Sequence, residues 1–197
     1  MGLQLILVRH GETEMNRKGA YCGWSDSPLT EKGLGHAQRV ARKLENESLH
    51  IIFSSDLPRT MKTADIIKEF HDIEHVTVKE LREINFGMWE GLDYQEIIGQ
   101  YPRESKYWQA DWTGYTVPQG ESLQQMYRRV TAAVDEVINR FQDKNILLVT
   151  HGGCIRAILA HLIGGGLEDY WKYKVTHGCI TRIEIVDGFS ILTALNA

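Results

Sequence analysis

The sequence predicts an α/β fold: a three-layer α/β/α sandwich with a mostly parallel sheet, one antiparallel edge, and a small helical and aromatic cap. Three observations lead there. Short apolar runs alternate with segments of helical period, the pattern of strands and helices wound around a parallel sheet. Two strand-like stretches flank Asp187-Gly188 and close the chain as a hairpin, which supplies the antiparallel edge. Between Glu80 and Gly120 the texture changes, with Trp89, Tyr94, Tyr101, Tyr107, Trp108, Trp112 and Tyr115 crowded beside Pro102 and Pro118. At 197 residues, 43% of them hydrophobic, the chain suits a single domain over 1–197 with the cap inserted at about 80–120.

Each element follows from its own residues. Gln4–Val8 (QLILV) is short, wholly apolar after its first residue and followed by polar residues and glycine, so it reads as a buried strand. Thr30 caps a helix to about Glu47, with Leu34, Ala37, Ala41 and Leu44 along one stripe. His50–Ser54 is a second buried strand, and Asp56 caps the next helix, where Thr60, Thr63, Ala64 and Ile67 share a face. Val76–Lys79 is a short third strand. The cap reads as a loop, a short helix near Tyr94–Gly99 and an irregular aromatic stretch. Glu121–Phe141 is a long helix with Leu123, Met126, Val130, Val134 and Ile138 inward. Asn145–Val149 (NILLV) is the fourth core strand, and a helix from about Gly153 to Ile163 stops at Gly164–Gly166. Cys179–Val186 and Phe189–Leu195 form the edge hairpin.

Composition excludes several function classes. Lys and Arg number 22 against 26 Asp and Glu, a net charge of −4, which disfavours nucleic acid and anionic membranes as partners. No apolar run approaches the roughly 20 residues of a membrane span. Met1–Val8 has no basic leader and runs directly into Arg9 and His10, so it is not read as a signal peptide, and a cytoplasmic location is expected. Cys22, Cys154 and Cys179 are odd in number and far apart, which fits three reduced thiols rather than a disulfide framework or a zinc site. His71 and His75 are four apart but straddle a helix end, so they read as a solvated pair rather than metal ligands.

Three strands end in an abrupt change to polar residues: Arg9-His10-Gly11-Glu12-Thr13, then Ser54-Ser55-Asp56 with Arg59, then Thr150-His151-Gly152-Gly153. In open α/β sheets ligands bind beyond the carboxyl ends of the strands. If these strands are parallel neighbours, Arg9, Arg59, His10 and His151 meet in one crevice, with a helix N-terminus pointing into it. Guanidiniums and a helix N-terminus recognise an oxyanion, and paired arginine donors fit phosphate. A neutral imidazole is a good nucleophile toward phosphorus, and positive surroundings keep it unprotonated. Glu83, in the loop after the third strand, is the candidate general acid. A lone histidine after a strand is more often structural, but the convergence of these four residues outweighs that reading.

At these residues the chain resembles the histidine phosphatase superfamily, which includes cofactor-dependent phosphoglycerate mutases. The resemblance rests on LVRHGETEMN (Leu7–Asn16), YCGWSDSPLTEKG (Tyr21–Gly33), SSDLPRTMKTA (Ser54–Ala64), ELREINFGMWEG (Glu80–Gly91) and VTHGG (Val149–Gly153), in that order. It implies that His10 becomes phosphohistidine, and that Arg9, Arg59 and His151 hold the transferring phosphoryl group. Glu83 would protonate the leaving oxygen and then activate water. Asn16 and the Gly152 backbone would add hydrogen bonds to phosphate, Cys22 and Gly23 would line the substrate side, and neither metal nor cofactor is required. Within the superfamily, Glu80–Ile97 and Tyr107–Ser122 resemble the α-ribazole phosphatases of cobalamin biosynthesis. That implies hydrolysis of a small phosphate monoester, α-ribazole 5′-phosphate or adenosylcobalamin 5′-phosphate, by a monomer or weak homodimer. Trp89 and Trp108 are the expected stackers on a planar base. A broad-specificity phosphatase, a mutase and an inactive regulatory relative are the other readings. Mutases carry a basic insertion where this chain has Ile84-Asn85-Phe86-Gly87 and an aromatic cap, so a second acidic group on the substrate is expected to find little to hold it.

Overall fold

The computed structural model describes residues 2–197; Met1, with which the expected domain and the segment not read as a signal peptide both begin, lies outside them. Six strands form one sheet, β1 (Leu3–Arg9), β2 (Ile51–Ser54), β3 (His75–Thr77), β4 (Asn145–Thr150), β5 (Ile180–Val186) and β6 (Phe189–Ala194), in the order β3-β2-β4-β1-β5-β6. The first four are mutually parallel, whereas β5 and β6 run antiparallel at one edge. Their hairpin turns at Asp187 (φ 50°) and Gly188 (φ 81°), the left-handed pair that a two-residue hairpin of matching twist requires.

Both sheet faces are covered, which is why the central strands read as unbroken apolar runs. On one face Leu5, Leu7, Ile146 and Leu148 pack against α6 (Leu123–Arg140) and α7 (Gly152–Leu162). On the other, Ile6, Val8, Leu147 and Val149 pack against α2 (Glu31–Leu44) and α3 (Pro58–Lys68). These eight sheet side chains are fully buried, each contributing roughly 1.5–3 kcal/mol of hydrophobic stabilisation. The Thr30 hydroxyl caps α2 by accepting from the Gly33 amide, as its sequence position predicts.

Four local expectations are corrected. Asp56 does not cap α3: the cap position is Leu57 without a side-chain bond, and Pro58 opens the helix. The Asp56 carboxylate instead accepts both Nε and Nη2 of Arg82. The stretch read as irregular contains α5 (Pro102–Ala110) directly after α4 (Tyr94–Gln100); only Ser105 of α5 is buried, so no apolar stripe betrayed it. Trp89 is 3% exposed and centres a cap cluster with Ile97 and Val117, so it packs the cap and has no free face for a ligand. His71 and His75 are not a solvated pair either, because His75 Nε2 lies 2.8 Å from Ser54 Oγ, and no metal-competent cluster exists among the described residues. No helix among them is long and apolar enough to cross a membrane.

Candidate active site

Because β2, β4 and β1 are neighbours, their carboxyl ends bring Ser55, His151 and Arg9-His10 to one place, and α7 starts from it. His10 is 3% exposed, Arg59 1% and His151 fully buried. The His10 Nδ1 lies 2.7 Å from the Gly11 carbonyl oxygen, which only accepts, so Nδ1 carries the proton and Nε2 is bare. Burial first, then the charges of Arg59 and Arg9, hold the His10 imidazole well below the usual histidine range. Desolvation thus leads, with the positive surroundings second. The result is a neutral, oriented imidazole with a free lone pair on Nε2.

The His151 ring packs edge-on to His10 at 5.1 Å between centroids, and its Nε2 lies 2.8 Å from Ser55 Oγ. Ser55 Oγ is in turn 2.7 Å from Thr60 Oγ1, which faces the carbonyls of Ser55 and Leu57. Both carbonyls have other donors, Ser54 Oγ on that of Ser55 and the Thr60 and Met61 amides on that of Leu57. The Thr60 proton therefore goes to Ser55, Ser55 donates to His151 Nε2, and His151 Nδ1 carries the ring proton. Burial is also the main reason the His151 imidazole titrates well below its ordinary range, followed by Arg59, His10 and Arg9.

The arginines are held by carbonyls and not by acids. Arg9 Nη1 donates to Val175 O at 2.7 Å; burial lowers its pKa to about 10, which leaves it a cation at neutral pH. Arg59, at the start of α3, donates to the carbonyls of Cys22, Gly23 and Ser25. That loop is shaped by Glu90, whose carboxylate accepts the amides of Gly23, Trp24, Ser25 and Phe86 at 2.8–3.2 Å. Arg9 Nε, Arg59 Nε and His151 Nδ1 remain buried with no hydrogen-bond partner. Each such group costs roughly 1–3 kcal/mol unless a ligand satisfies it. A tetrahedral oxyanion suits two guanidiniums of this kind.

Glu83 faces the same place. Its Oε2 accepts the Gly153 amide at 2.9 Å and its Oε1 the Ile84 amide at 3.0 Å. A Cβ at Gly153 would come within 2.1 Å of Glu83 Oε1, so only glycine admits the carboxylate there. The Glu83 carbonyl accepts Trp24 Nε1 and Arg129 Nη2, both at 2.8 Å. A cleft of about 450 Å³ opens beside these groups, with Arg9, Asn16, Cys22, Glu83, Gly152 and Arg156 on its walls. A groove of about 500 Å³ between β3 and α6 is larger but contains none of them.

Of the predicted residues, Arg9, Asn16, Cys22, Glu83 and Gly152 line the cleft, and His10, Arg59 and His151 lie buried at the strand ends. Gly23 differs: it is buried, its carbonyl holds Arg59, and it is not on the cleft wall. Asn16 commits its Oδ1 to the Thr13 amide and hydroxyl. Sequence reasoning missed the roles of Ser55, Glu90, Arg129, Arg156, Trp171 and His177. Arg156 had a signal: it lies one helical turn beyond Gly152, on the face that meets the cleft. Its guanidinium sits 4.9 Å from the Trp171 ring centroid, and among the described residues it has no carboxylate partner. The expectation that a second acidic group would find little to hold it is therefore corrected, since Arg156 is a cation on the cleft wall. Trp171, in a 3₁₀ helix over Leu167–Lys172, had no local signal.

Proteins similar to this chain in sequence and fold include several phosphatases. The chain is 33% identical over 196 residues to an adenosylcobalamin/alpha-ribazole phosphatase of Salmonella typhimurium, covering 99% of this chain and 96% of the relative. It is 32% identical over 194 residues to phosphoserine phosphatase 1 of Hydrogenobacter thermophilus, covering 98% and 92%. The alpha-ribazole phosphatase structure from Shigella flexneri superposes with a TM-score of 0.93 at 31% identity, covering 98% and 96%. Residues 5–197 match the model of the histidine phosphatase superfamily, branch 1. The chain belongs to that superfamily and is a phosphoric monoester hydrolase.

Proposed function

We propose that the protein hydrolyses α-ribazole 5′-phosphate, or the equivalent adenosylcobalamin phosphate, through a phosphohistidine at His10. The observation that carries the phosphohistidine chemistry is a bare, neutral His10 Nε2 beside three buried groups without protein partners: Arg9 Nε, Arg59 Nε and His151 Nδ1. The phosphoryl oxygens take hydrogen bonds from Arg9, Arg59, Asn16 and the Gly152 amide. His10 Nε2 attacks phosphorus; the N–P bond forms as the bond to the leaving oxygen breaks. Glu83 in its acid form gives that oxygen a proton. The imidazolium so created keeps its Nδ1–H on the Gly11 carbonyl, a bond that strengthens once the ring is charged. His151 takes up negative charge developing on the phosphoryl oxygens. Glu83, now a carboxylate, accepts a proton from water as the water oxygen attacks phosphorus. The P–N bond breaks with its electron pair returning to Nε2, and phosphate leaves.

The aromatic wall supports the choice of leaving group. Tyr21, Phe86, Tyr170 and Trp171 line both the cleft and an adjoining apolar recess of about 100 Å³, which Trp108 and Trp112 complete. Stacking a flat base on such rings contributes about 1–3 kcal/mol per contact. The names of the Salmonella and Shigella proteins point the same way. Arg156 favours a second reading, a phosphomonoester that carries a carboxylate, of which phosphoserine is the type named for the Hydrogenobacter relative. Cleft and cap belong to one domain that acts as a monomer or weak homodimer; its three free thiols suit a cytoplasmic setting.

Steady-state kcat/KM on α-ribazole 5′-phosphate, phosphoserine, 3-phosphoglycerate and p-nitrophenyl phosphate tests the reading. Preference for α-ribazole 5′-phosphate by a few hundred-fold, about 3–4 kcal/mol, supports it. Preference for phosphoserine replaces it with the second reading, and turnover by H10A refutes the phosphohistidine chemistry itself.

A further inference from the structure

His177 is a largely buried imidazole that the chemistry above does not use. Its ring packs edge-on to His10 at 5.5 Å between centroids and 61° between planes, and the Nε2 atom is buried without a hydrogen-bond partner. His10 therefore has an aromatic edge contact with His177 as well as with His151. The charged groups that act on His177 are Arg9, Glu12, Lys32 and His36, from β1, the loop after it and α2. His177, like His10 itself, does not line the cleft.

The segment that carries His177 is fastened at several points. Val175 O accepts Arg9 Nη1 at 2.7 Å, and the Gly178 amide donates to the Arg9 carbonyl at 3.1 Å. The Thr176 amide and hydroxyl both donate to Asn196 Oδ1. Gly178 has a φ of 60°, and a Cβ there would come within 2.4 Å of His36 Cβ, so both the turn and its close seating on α2 require glycine. Successive side chains of a strand leave on opposite faces. Arg9 ends such a strand and His10 follows it, and this one turn touches the side chain of each.

We propose that the Val175–Gly178 turn is a clamp on Arg9 and His10, and that His177 is a positioning residue whose ring fixes the plane of the His10 imidazole for in-line attack. The inference rests on His10 being the nucleophile. What His177 supplies is the ring and not a hydrogen bond, because its buried Nε2 makes none. Burial and the Arg9 charge lower its pKa to about 3, so it adds no positive charge beside the nucleophile.

The test compares H177A, H177N and H177F with the parent and with H10A. Phosphoenzyme formed from p-nitrophenyl phosphate is followed by rapid quench, inorganic phosphate binding by calorimetry, and the His10 tautomer by nitrogen-15 NMR. In H177A the expected result is a phosphoenzyme formation rate lowered by about tenfold or more, with phosphate affinity within about twofold of the parent. H177F, which keeps an aromatic edge, restores most of the rate, and H177N behaves as H177A does. The His10 resonances of H177A report mixed tautomers where the parent reports Nδ1–H alone. A parental rate in H177A, or in H177N should H177A fail to fold, overturns the proposal. So does an equal loss in H177F and H177A. Phosphoenzyme in H10A would instead overturn the assignment of His10 on which the inference rests.

Discussion

Glu90 has no contact with phosphate in the mechanism above, yet replacing it with Gln should disable the site. Its two carboxylate oxygens accept four backbone amides: Oε1 those of Trp24 and Phe86, Oε2 those of Gly23 and Ser25. In Glu90→Gln one oxygen becomes an NH2 group, which cannot accept, so two of the four amides lose their acceptor and face another donor. At about 1–2 kcal/mol per stranded amide in this half-buried loop, the loss is about 2–4 kcal/mol. For a chain of this length that lowers Tm by roughly 5–15 °C. The carbonyls of the same loop, at Cys22, Gly23 and Ser25, are the only protein acceptors described for Arg59, so the guanidinium loses its aim as the loop relaxes. The second expected effect is a rise in KM for p-nitrophenyl phosphate of about tenfold, against a smaller change in kcat. Thermal melts followed by circular dichroism and steady-state kinetics measure the two effects separately. A variant that melts within about 2 °C of the parent with unchanged kcat/KM would refute the chain of support from Glu90 through the loop to Arg59.

Glu83→Gln should keep phosphate binding while slowing turnover, least for nitrophenolate and most for poor alkoxide leaving groups; equal losses across a leaving-group series would remove Glu83 as the acid. Ser55→Ala strands His151 Nε2 and should lower kcat by about 5- to 150-fold, the equivalent of roughly 1–3 kcal/mol, and Ser55→Thr restoring activity would show that the hydroxyl is what matters. His10 and His151 both titrate well below an unfolded histidine, so the unfolded chain binds protons that the native state refuses. Stability is therefore present above the unfolded value near 6.5 and falls below it, by up to about 2.7 kcal/mol per pH unit for the two residues. Urea midpoints at pH 7.5 and 5.5 check the sign, and an unchanged midpoint would contradict it. Arg156→Leu should leave α-ribazole 5′-phosphate hydrolysis within about threefold and depress phosphoserine hydrolysis far more, and the reverse order would assign Arg156 to the ribazole substrate.

The parts of the site legible in the sequence are those that local pattern controls. A buried parallel strand is an apolar run, and its ligand-facing end is a sudden polar run, so Arg9-His10, Ser54-Ser55 and Thr150-His151 announce themselves. The helix cap at Thr30 is equally local. What stayed illegible depends on pairs distant along the chain. Arg9 meets Val175 across 166 positions and Ser55 meets His151 across 96, and neither partner has a local pattern that marks the contact. Asp56 looked like a cap because aspartate before a helix usually is one, but Arg82, 26 positions later, offers a bidentate guanidinium and takes it. Trp89 looked available because the cap is aromatic throughout, and composition does not say which rings face inward.

The buried position of His10, the proposed nucleophile, resolves a conflict that the cations alone would not. A phosphoryl group needs Arg9 and Arg59 close by, and an imidazole must stay neutral to attack. Near exposed cations, water would screen the charge and weaken both effects. Here burial leads in holding His10 neutral, and the arginines add to it in the same direction before substrate arrives. In the proposed reaction His10 takes the phosphoryl group and its ring becomes cationic beside those same arginines. The dianionic phosphoryl oxygens, with the Glu83 carboxylate left by proton transfer, then offset the three charges, and the Gly11 carbonyl holds the ring proton. The site thus favours two states: empty with a neutral ring, or charged with phosphate attached. A protonated ring without phosphate is the state it penalises. Lys substituted for Arg59 would keep the charge but reach fewer of the Cys22, Gly23 and Ser25 carbonyls, so it should weaken phosphate binding while leaving His10 neutral. Phosphate affinity by calorimetry and the His10 nitrogen resonances across pH separate those two effects; a His10 that titrates near pH 6.5 in Arg59→Lys would show that the Arg59 geometry, and not burial, keeps the ring neutral.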